Sequence, residues 1–179
     1  MIRTMDKREF DTIFSIMEMS FPEDEYRPYE EQKALLSDSR YSVYVLPDSD
    51  SGEVKAFITV WKFDDFAFAE HFAVNPDYRN QGLGARILKE FKEIFDCQIC
   101  LEVELPQTDF AIRRIGFYER NGFFFNDYAY MQPPISRGRN AIPLRIMTSG
   151  KAISKERFDY LKKTIYREVY KQDAWEACF

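Results

Sequence analysis

Two glycines and a polar segment mark the part of the sequence best suited to bind an anionic ligand. Gly82 and Gly84 follow the polar residues 75–81 and precede apolar residues at helical spacing. Glycine lets the backbone curve tightly and leaves its amides uncovered, and unpaired N–H groups at a helix N-terminus favour phosphate or pyrophosphate. We therefore predict a phosphate-binding segment here, with an ordinary strand-to-helix turn as the alternative. It is no P-loop, because no Gly-Lys-Ser/Thr follows, and two glycines do not make a dinucleotide fingerprint.

The cysteines and the single histidine offer little for metal or redox chemistry. Cys97 and Cys100 form a CxxC pair, which could be a redox pair or half of a zinc site. Only Cys178 and His71 remain as further soft ligands. We therefore expect no metal site, with Cys97 at the end of a helix, Cys100 inside a strand and His71 in a structural role.

Composition indicates a folded, acidic protein. The 179 residues include 17 Phe, 11 Tyr and 2 Trp, and 25 basic against 30 acidic side chains give a net charge of -5. So many aromatic residues exclude a disordered chain, and the negative charge argues against nucleic acid as a partner. The length favours one domain.

The negative charge is unevenly distributed. It is densest in Glu23–Glu25 and Glu30–Glu31, whereas residues 137–179 hold an excess of basic side chains. The acidic residues are either a solvated loop between two helices or a wall that attracts a cationic amine.

Charged side chains interrupt the apolar residues among the first 20, and no apolar run in the chain reaches the roughly 18–20 residues that span a bilayer. We therefore expect no leader segment and no membrane partner, and a cytoplasmic location.

Hydrophobic periodicity and turn residues predict alternating strands and helices. Asp6 is expected to cap a first helix that Pro22 closes, and strands 41–46, 53–63 and 66–74 form an antiparallel set. Further along the chain we predict helices over 28–37, 83–95, 108–121 and 154–171, and strands over 2–5, 99–105, 123–131 and 142–148. This is an α/β (α+β) protein with a mixed, largely antiparallel sheet flanked by helices.

Two stretches of this sequence resemble the GNAT superfamily of N-acetyltransferases. The string HFAVNPDYRNQGLGARIL is similar to its acyl-CoA-binding motif, Arg/Gln-x-x-Gly-x-Gly/Ala, and RRIGFYERNGFFF is similar to its later helix-then-strand segment. The predicted element order is also that of the superfamily. The resemblance covers residues 1–148 and leaves 149–179 as an amphipathic helix and tail, packed on the same domain or on a partner in a homodimer.

The resemblance implies acetyl-CoA as co-substrate, with no metal. Backbone groups on the strand and in the glycine loop would bind it, one strand amide at Ala73 or Val74 polarising the thioester carbonyl. The implied CoA-binding residues are Phe72, Ala73, Val74, Arg79, Asn80, Gln81, Gly82, Leu83, Gly84 and Ala85.

The resemblance also implies catalytic roles. Tyr118 would protonate the departing thiolate, although a plain core aromatic is the alternative reading. Glu70 would be the base, given a raised pKa or a water relay, and Glu102 and Glu104 are rivals for that role. If Glu70 faces the cleft, the strand period turns His71 to the opposite side.

The implied function is transfer of the acetyl group of acetyl-CoA to a primary amine of a small, cationic acceptor, by direct attack in a ternary complex. Pro106 and Gln107 stand where many members of the superfamily carry Asn, so acceptor contacts can differ. The alternatives are a non-catalytic acyl-CoA-binding or assembly domain and a peptide or protein N-acetyltransferase.

Overall fold

A computed structural model describes residues 1–172, which form two compact units. The first is Met1–Ile99 and the second begins at Cys100. The predicted contributions of Trp175, Cys178 and Phe179 to the tail lie outside the described residues.

The first unit is an antiparallel sheet with three helices. Its strands follow the order β1-β2-β3-β4, and pairs such as Tyr41 with Trp61 and Phe57 with Ala73 define the register. Large aromatic side chains, among them Trp61, Phe57 and Phe91, are fully buried in it. The elements are β1 (Arg3–Thr4), α1 (Phe10–Ser20), α2 (Tyr29–Ala34), β2 (Tyr41–Pro47), β3 (Val54–Lys62), β4 (Phe66–Val74) and α3 (Leu83–Lys92).

The strand β4 contains a bulge in its middle. Thr59 of β3 pairs with His71, but the next residue, Val60, pairs with Ala69. Glu70 is therefore the extra residue, and a bulge of this kind redirects the side chains beside it.

The second unit, as far as residue 172, is an antiparallel sheet in the order β5-β7-β6 with two helices. Thr108 caps the first helix through its side chain, and Gly122 follows that helix with a φ of 82°. The second helix buries Phe158, Leu161 and Ile165. The elements are β5 (Gln98–Glu104, which begins at the end of the first unit), α4 (Asp109–Arg120), β6 (Phe123–Gln132), β7 (Ile142–Ser149) and α5 (Lys155–Glu168).

The predicted fold class is confirmed: helices flank sheets whose strands are antiparallel within each unit. The predicted end of the third helix is wrong, because α3 ends at Lys92 and not near Phe95. Cys97 consequently lies in the loop before β5 and not at a helix end, whereas Cys100 lies in β5 as expected. Within residues 1–172, no helix is both long and apolar enough to cross a membrane.

Candidate functional site

The glycine loop joins β4 to α3. The Asn75 side chain accepts a hydrogen bond from the Asp77 amide at 3.2 Å and starts a short helical turn. Asn80 and Gly82 then adopt left-handed backbone conformations, with φ of 63° and 73°. Gly82 suits this conformation because it has no Cβ. Together the two residues turn the chain sharply into α3.

The start of α3 has no side-chain cap. Gly82 occupies the N-cap position, where Ser, Thr or Asp would normally accept hydrogen bonds from the first-turn amides. The amides of Leu83, Gly84 and Ala85 lie in that first turn, where an anion is favoured. The predicted segment Gln81–Ala85 thus comes together around one helix start.

The other predicted CoA-binding residues of the first unit lie beside this loop. Phe72, Ala73 and Val74 form the end of β4 and pair with residues 56–58 of β3. The Arg79 side chain folds back over that strand end, and its Nε donates to the Val74 carbonyl at 3.3 Å. Arg79 therefore fixes the loop to the strand that precedes it.

The predicted base, Glu70, has two strong partners. Its Oε1 accepts from Arg27 Nη1 at 2.7 Å, its Oε2 accepts from Trp61 Nε1 at 2.9 Å, and its side chain is 2% exposed. Burial alone would raise the pKa of Glu70, but the Arg27 guanidinium and these hydrogen bonds outweigh it and hold the pKa below its ordinary value. A base at this position was expected to need either a raised pKa or a water relay. Since the pKa of Glu70 is not raised, proton transfer through water is the remaining route.

The bulge overturns the expected orientation of His71. Because Glu70 is the extra residue, the two side chains do not point to opposite sides, and His71 Nδ1 lies 3.9 Å from a Glu70 oxygen. His71 Nε2 lies 2.8 Å from the Glu25 carbonyl, which can only accept, so Nε2 carries the proton. Burial lowers the pKa of His71, which favours this neutral form. Nδ1 then accepts from the Thr59 hydroxyl at 3.1 Å.

Arg27 is the functional candidate that the sequence did not indicate. It follows the acidic segment Glu23–Glu25, where a cation would be expected to remain solvated, yet its side chain is only 6% exposed. The sequence feature that could have indicated Arg27 is its position as a single arginine between acidic residues and Pro28. No periodicity links it to Glu70.

In the second unit, Tyr118 lies on α4 with 7% of its surface exposed. Its ring contacts those of Phe117 and Phe123, with centroids 5.3 and 5.8 Å away. Burial raises the pKa of Tyr118 to about 12. The phenol is therefore protonated at neutral pH, as a general acid requires.

The two rival carboxylates have different surroundings. Glu104 accepts from Arg114 Nη1 at 2.9 Å, and the charges of both residues act on Tyr118. Glu102 accepts from the hydroxyl groups of Tyr130 and, at 2.8 Å, Tyr170. Glu104 is thus the carboxylate electrostatically linked to the predicted acid.

Among the described residues, the CxxC pair is not part of a set of possible metal ligands. Burial raises the pKa of Cys97, which keeps the thiol protonated. Over the part of the chain that the structure describes, no three His, Cys, Asp or Glu side chains come together as a metal site.

Comparison with known proteins identifies the family. The profile of the GNAT acetyltransferase family matches residues 9–123. The provisionally named acetyltransferase YjbC of Bacillus subtilis is 28% identical over 162 residues, which are 84% of this chain and 81% of YjbC. A structure from Bacteroides thetaiotaomicron, provisionally assigned to the GNAT acetyltransferases, is 32% identical, with a TM-score of 0.85 over 95% of this chain and 98% of that one.

The fold extends to more distant proteins. A spermidine N-acetyltransferase SpeG chimera from Vibrio cholerae and hSSAT superposes with a TM-score of 0.63 at 14% identity, covering 83% of this chain and 94% of that one. The family match, the two nearer relatives and the uncapped helix start after β4 lead to one assignment. The chain belongs to the GNAT family and is an acetyl-CoA-dependent N-acetyltransferase.

Proposed function

We propose that the protein transfers the acetyl group of acetyl-CoA to a primary amine of a small, cationic acceptor, by direct attack in a ternary complex. The observation that carries the acceptor class is the placement of Glu23–Glu25. Two partly buried contacts, one at the Glu25 carbonyl and one from the Arg27 side chain, hold this acidic segment against β4, the strand that carries Glu70. A segment of three carboxylates fixed in this way lowers the energy of a nearby cation.

Acetyl-CoA binding is assigned to the glycine loop and β4. The first-turn amides of α3, at Leu83, Gly84 and Ala85, would bind the pyrophosphate, because no side chain caps them. Backbone groups of Phe72–Val74 would hold the pantetheine arm, and an amide at Ala73 or Val74 would stabilise the oxyanion that forms on the thioester carbonyl.

Proton transfer is assigned to two residues. Tyr118, whose phenol is protonated at neutral pH, donates its proton to the departing CoA thiolate. Glu70 accepts the proton of the attacking amine through water: each of its oxygens has one strong partner and a second lone pair remaining. Glu104, which is linked to Tyr118 electrostatically, is the competing base.

The acceptor class is tested by thiol release from acetyl-CoA with paired amines. Each diamine is compared with the monoamine of equal chain length, so that the two differ in one positive charge, and a peptide with a free N-terminus is included. We expect a lower KM for the diamines, and a difference that shrinks with added salt. Equal KM values for diamine and monoamine would contradict the proposal that the acidic segment attracts the acceptor. Turnover of the peptide alone would indicate a peptide acceptor in place of a small amine.

The homodimer and the cytoplasmic location stay predictions. Light scattering measures the mass in solution, and a mass near twice 21.3 kDa would support the dimer.

A further inference from the structure

The ion pair between Arg27 and Glu70 is unusual because both partners are buried. Their side chains are 6% and 2% exposed, and Nη1 lies 2.7 Å from Oε1. Two buried charges gain little net stability from each other, because each loses its hydration. A buried pair of this kind therefore indicates a role in placing groups.

The pair fixes the orientation of the carboxylate. Arg27 reaches Glu70 from the loop between α1 and α2, and Trp61 reaches its other oxygen from β3. Each oxygen is thus held by a different part of the first unit. Rotation of the carboxylate would break at least one of these hydrogen bonds.

The same pair fixes the backbone of the acidic segment. Glu25 and Arg27, two residues apart on the loop, are bound by His71 and Glu70, which are neighbours on β4. The bulge at Glu70 lets both of these side chains reach the same loop. Between them, the buried Tyr26 packs against Phe14 with ring centroids 5.9 Å apart. Three successive loop residues are thereby attached to the unit's interior.

We propose that Arg27 is a positioning residue for acetyl transfer, whose guanidinium orients the Glu70 carboxylate and fixes the acidic segment beside it. This inference rests on the proposed function, in which Glu70 accepts a proton and the segment attracts the amine. Arg27 itself contacts Glu70 and is assigned no contact with substrate.

The charges around Glu70 determine the effect of removing Arg27. Glu70 faces Arg27 from the loop, Trp61 from β3, His71 on its own strand and Tyr41 from β2. Burial keeps His71 and Tyr41 neutral near pH 7, whereas Arg27 is positive. Loss of the guanidinium leaves a buried carboxylate without its opposite charge, so the proton affinity of Glu70 rises. A base must be ionised to act. On acidification, the activity of the variant should therefore begin to fall at a higher pH than that of the wild type.

The test measures the pH dependence of kcat and of kcat/KM for the diamine in the full chain, with Arg27→Gln. We expect the acid limb of the profile to move up by about 1–3 pH units, the range over which an adjacent opposite charge shifts a carboxyl group. The KM for the diamine should rise about tenfold, and the KM for acetyl-CoA should stay within about twofold, because the contacts proposed for acetyl-CoA are elsewhere. Arg27→Lys keeps the charge and should recover most of the acid limb.

Arg40→Gln is the matched control. Arg40 belongs to the same unit and pairs with Asp38 at 2.9 Å, but both side chains are partly exposed, at 37% and 27%. Its removal changes the net charge equally, and we expect an unchanged pH profile.

A second measurement follows the ionisation of Glu70 and does not require turnover. The indole N–H of Trp61 donates to Glu70, so its NMR signal, assigned with Trp61→Phe, reports ionisation of that carboxyl. It should titrate at higher pH in Arg27→Gln than in the wild type. If Arg27→Gln does not fold, Arg27→Lys is measured instead. Because Lys recovers most of the acid limb, a small remaining displacement of both the acid limb and the indole titration to higher pH supports the inference, and wild-type values for both overturn it.

The outcomes separate the two proposals. An indole signal that titrates identically in wild type and variant overturns the positioning role, whatever the activity. A displaced indole titration with an unmoved acid limb overturns its link to catalysis. If the wild type acetylates no amine, the proposed function fails, while the indole titration still tests the role of Arg27 at Glu70.

Discussion

Replacing Tyr118 by Phe removes one oxygen and keeps the ring that packs against Phe117 and Phe123. If the phenol protonates the departing thiolate, kcat should fall by about 10²–10⁴, the range for loss of a general acid. CoA affinity should not change, because its proposed contacts come from the glycine loop and β4. Thiol release gives kcat, and titration with CoA gives the dissociation constant.

The same substitution has an effect on stability that can be calculated. Burial raises the pKa of Tyr118 from 10.0 to about 12, and each pH unit corresponds to about 1.4 kcal/mol. The folded state therefore holds its proton more tightly than the unfolded state, by about 3 kcal/mol. Because the pKa is raised on folding, this contribution is complete below pH 10 and is lost as the pH rises towards 12.

Urea unfolding of wild type and Tyr118→Phe between pH 8 and 12 measures this contribution. Above pH 10, the free energy of unfolding should fall more steeply in the wild type than in Tyr118→Phe. The additional loss in the wild type should approach about 3 kcal/mol. Tyr160→Phe is the matched control in the same unit, since Tyr160 is 45% exposed. Equal slopes would refute the effect of burial on Tyr118, and full activity of Tyr118→Phe would refute its role as the acid.

Three further predictions concern the loop, a helix cap and the acidic segment. Gly82→Ala and Gly150→Ala both force alanine into positive φ, with open space for the Cβ. Calorimetry should show a Tm lower by about 4 °C in both variants. Only Gly82→Ala should bind CoA more weakly, because Gly150 lies outside the glycine loop. Thr108→Ala removes the cap of α4 and should lower the Tm by about 2–4 °C. Neutralising Glu23–Glu25 with Gln and Asn should raise the KM for a diamine about tenfold at low salt, and less at high salt; an unchanged KM would contradict our acceptor class.

Much of the fold could be predicted from the sequence because local signals marked the element ends. Thr108 before α4 and Gly122 after it satisfied the groups that a helix leaves unpaired at each end. Apolar spacing was less informative about where α3 ends. Ile94 and Phe95 continue its apolar stripe, and Phe95 does pack against Phe91 at 5.1 Å. It does so from the following turn, since spacing reports which side chains are buried and not where helical hydrogen bonds end.

The interior of the candidate site could not be predicted in the same way. The bulge at Glu70 interrupts the run Phe66–Val74, in which neither Gly nor Pro marks a break. The partner of Glu70, Arg27, is 43 residues away along the chain. Such a pair depends on how the loop after α1 folds over the sheet, which no local periodicity encodes.

The surroundings of the three carboxylates narrow the choice of base. Glu102 accepts from two phenols, one of which belongs to Tyr170, two residues beyond α5. Protonation of Glu102 would therefore weaken the attachment of that helix end. Glu70 and Glu104 each have an arginine partner instead, and each carboxylate can be replaced separately. The base is the carboxylate whose replacement by Gln lowers kcat and removes the acid limb of the rate profile. Loss of the acid limb in Glu104→Gln, and its retention in Glu70→Gln, would assign proton acceptance to Glu104, whose charge acts on Tyr118.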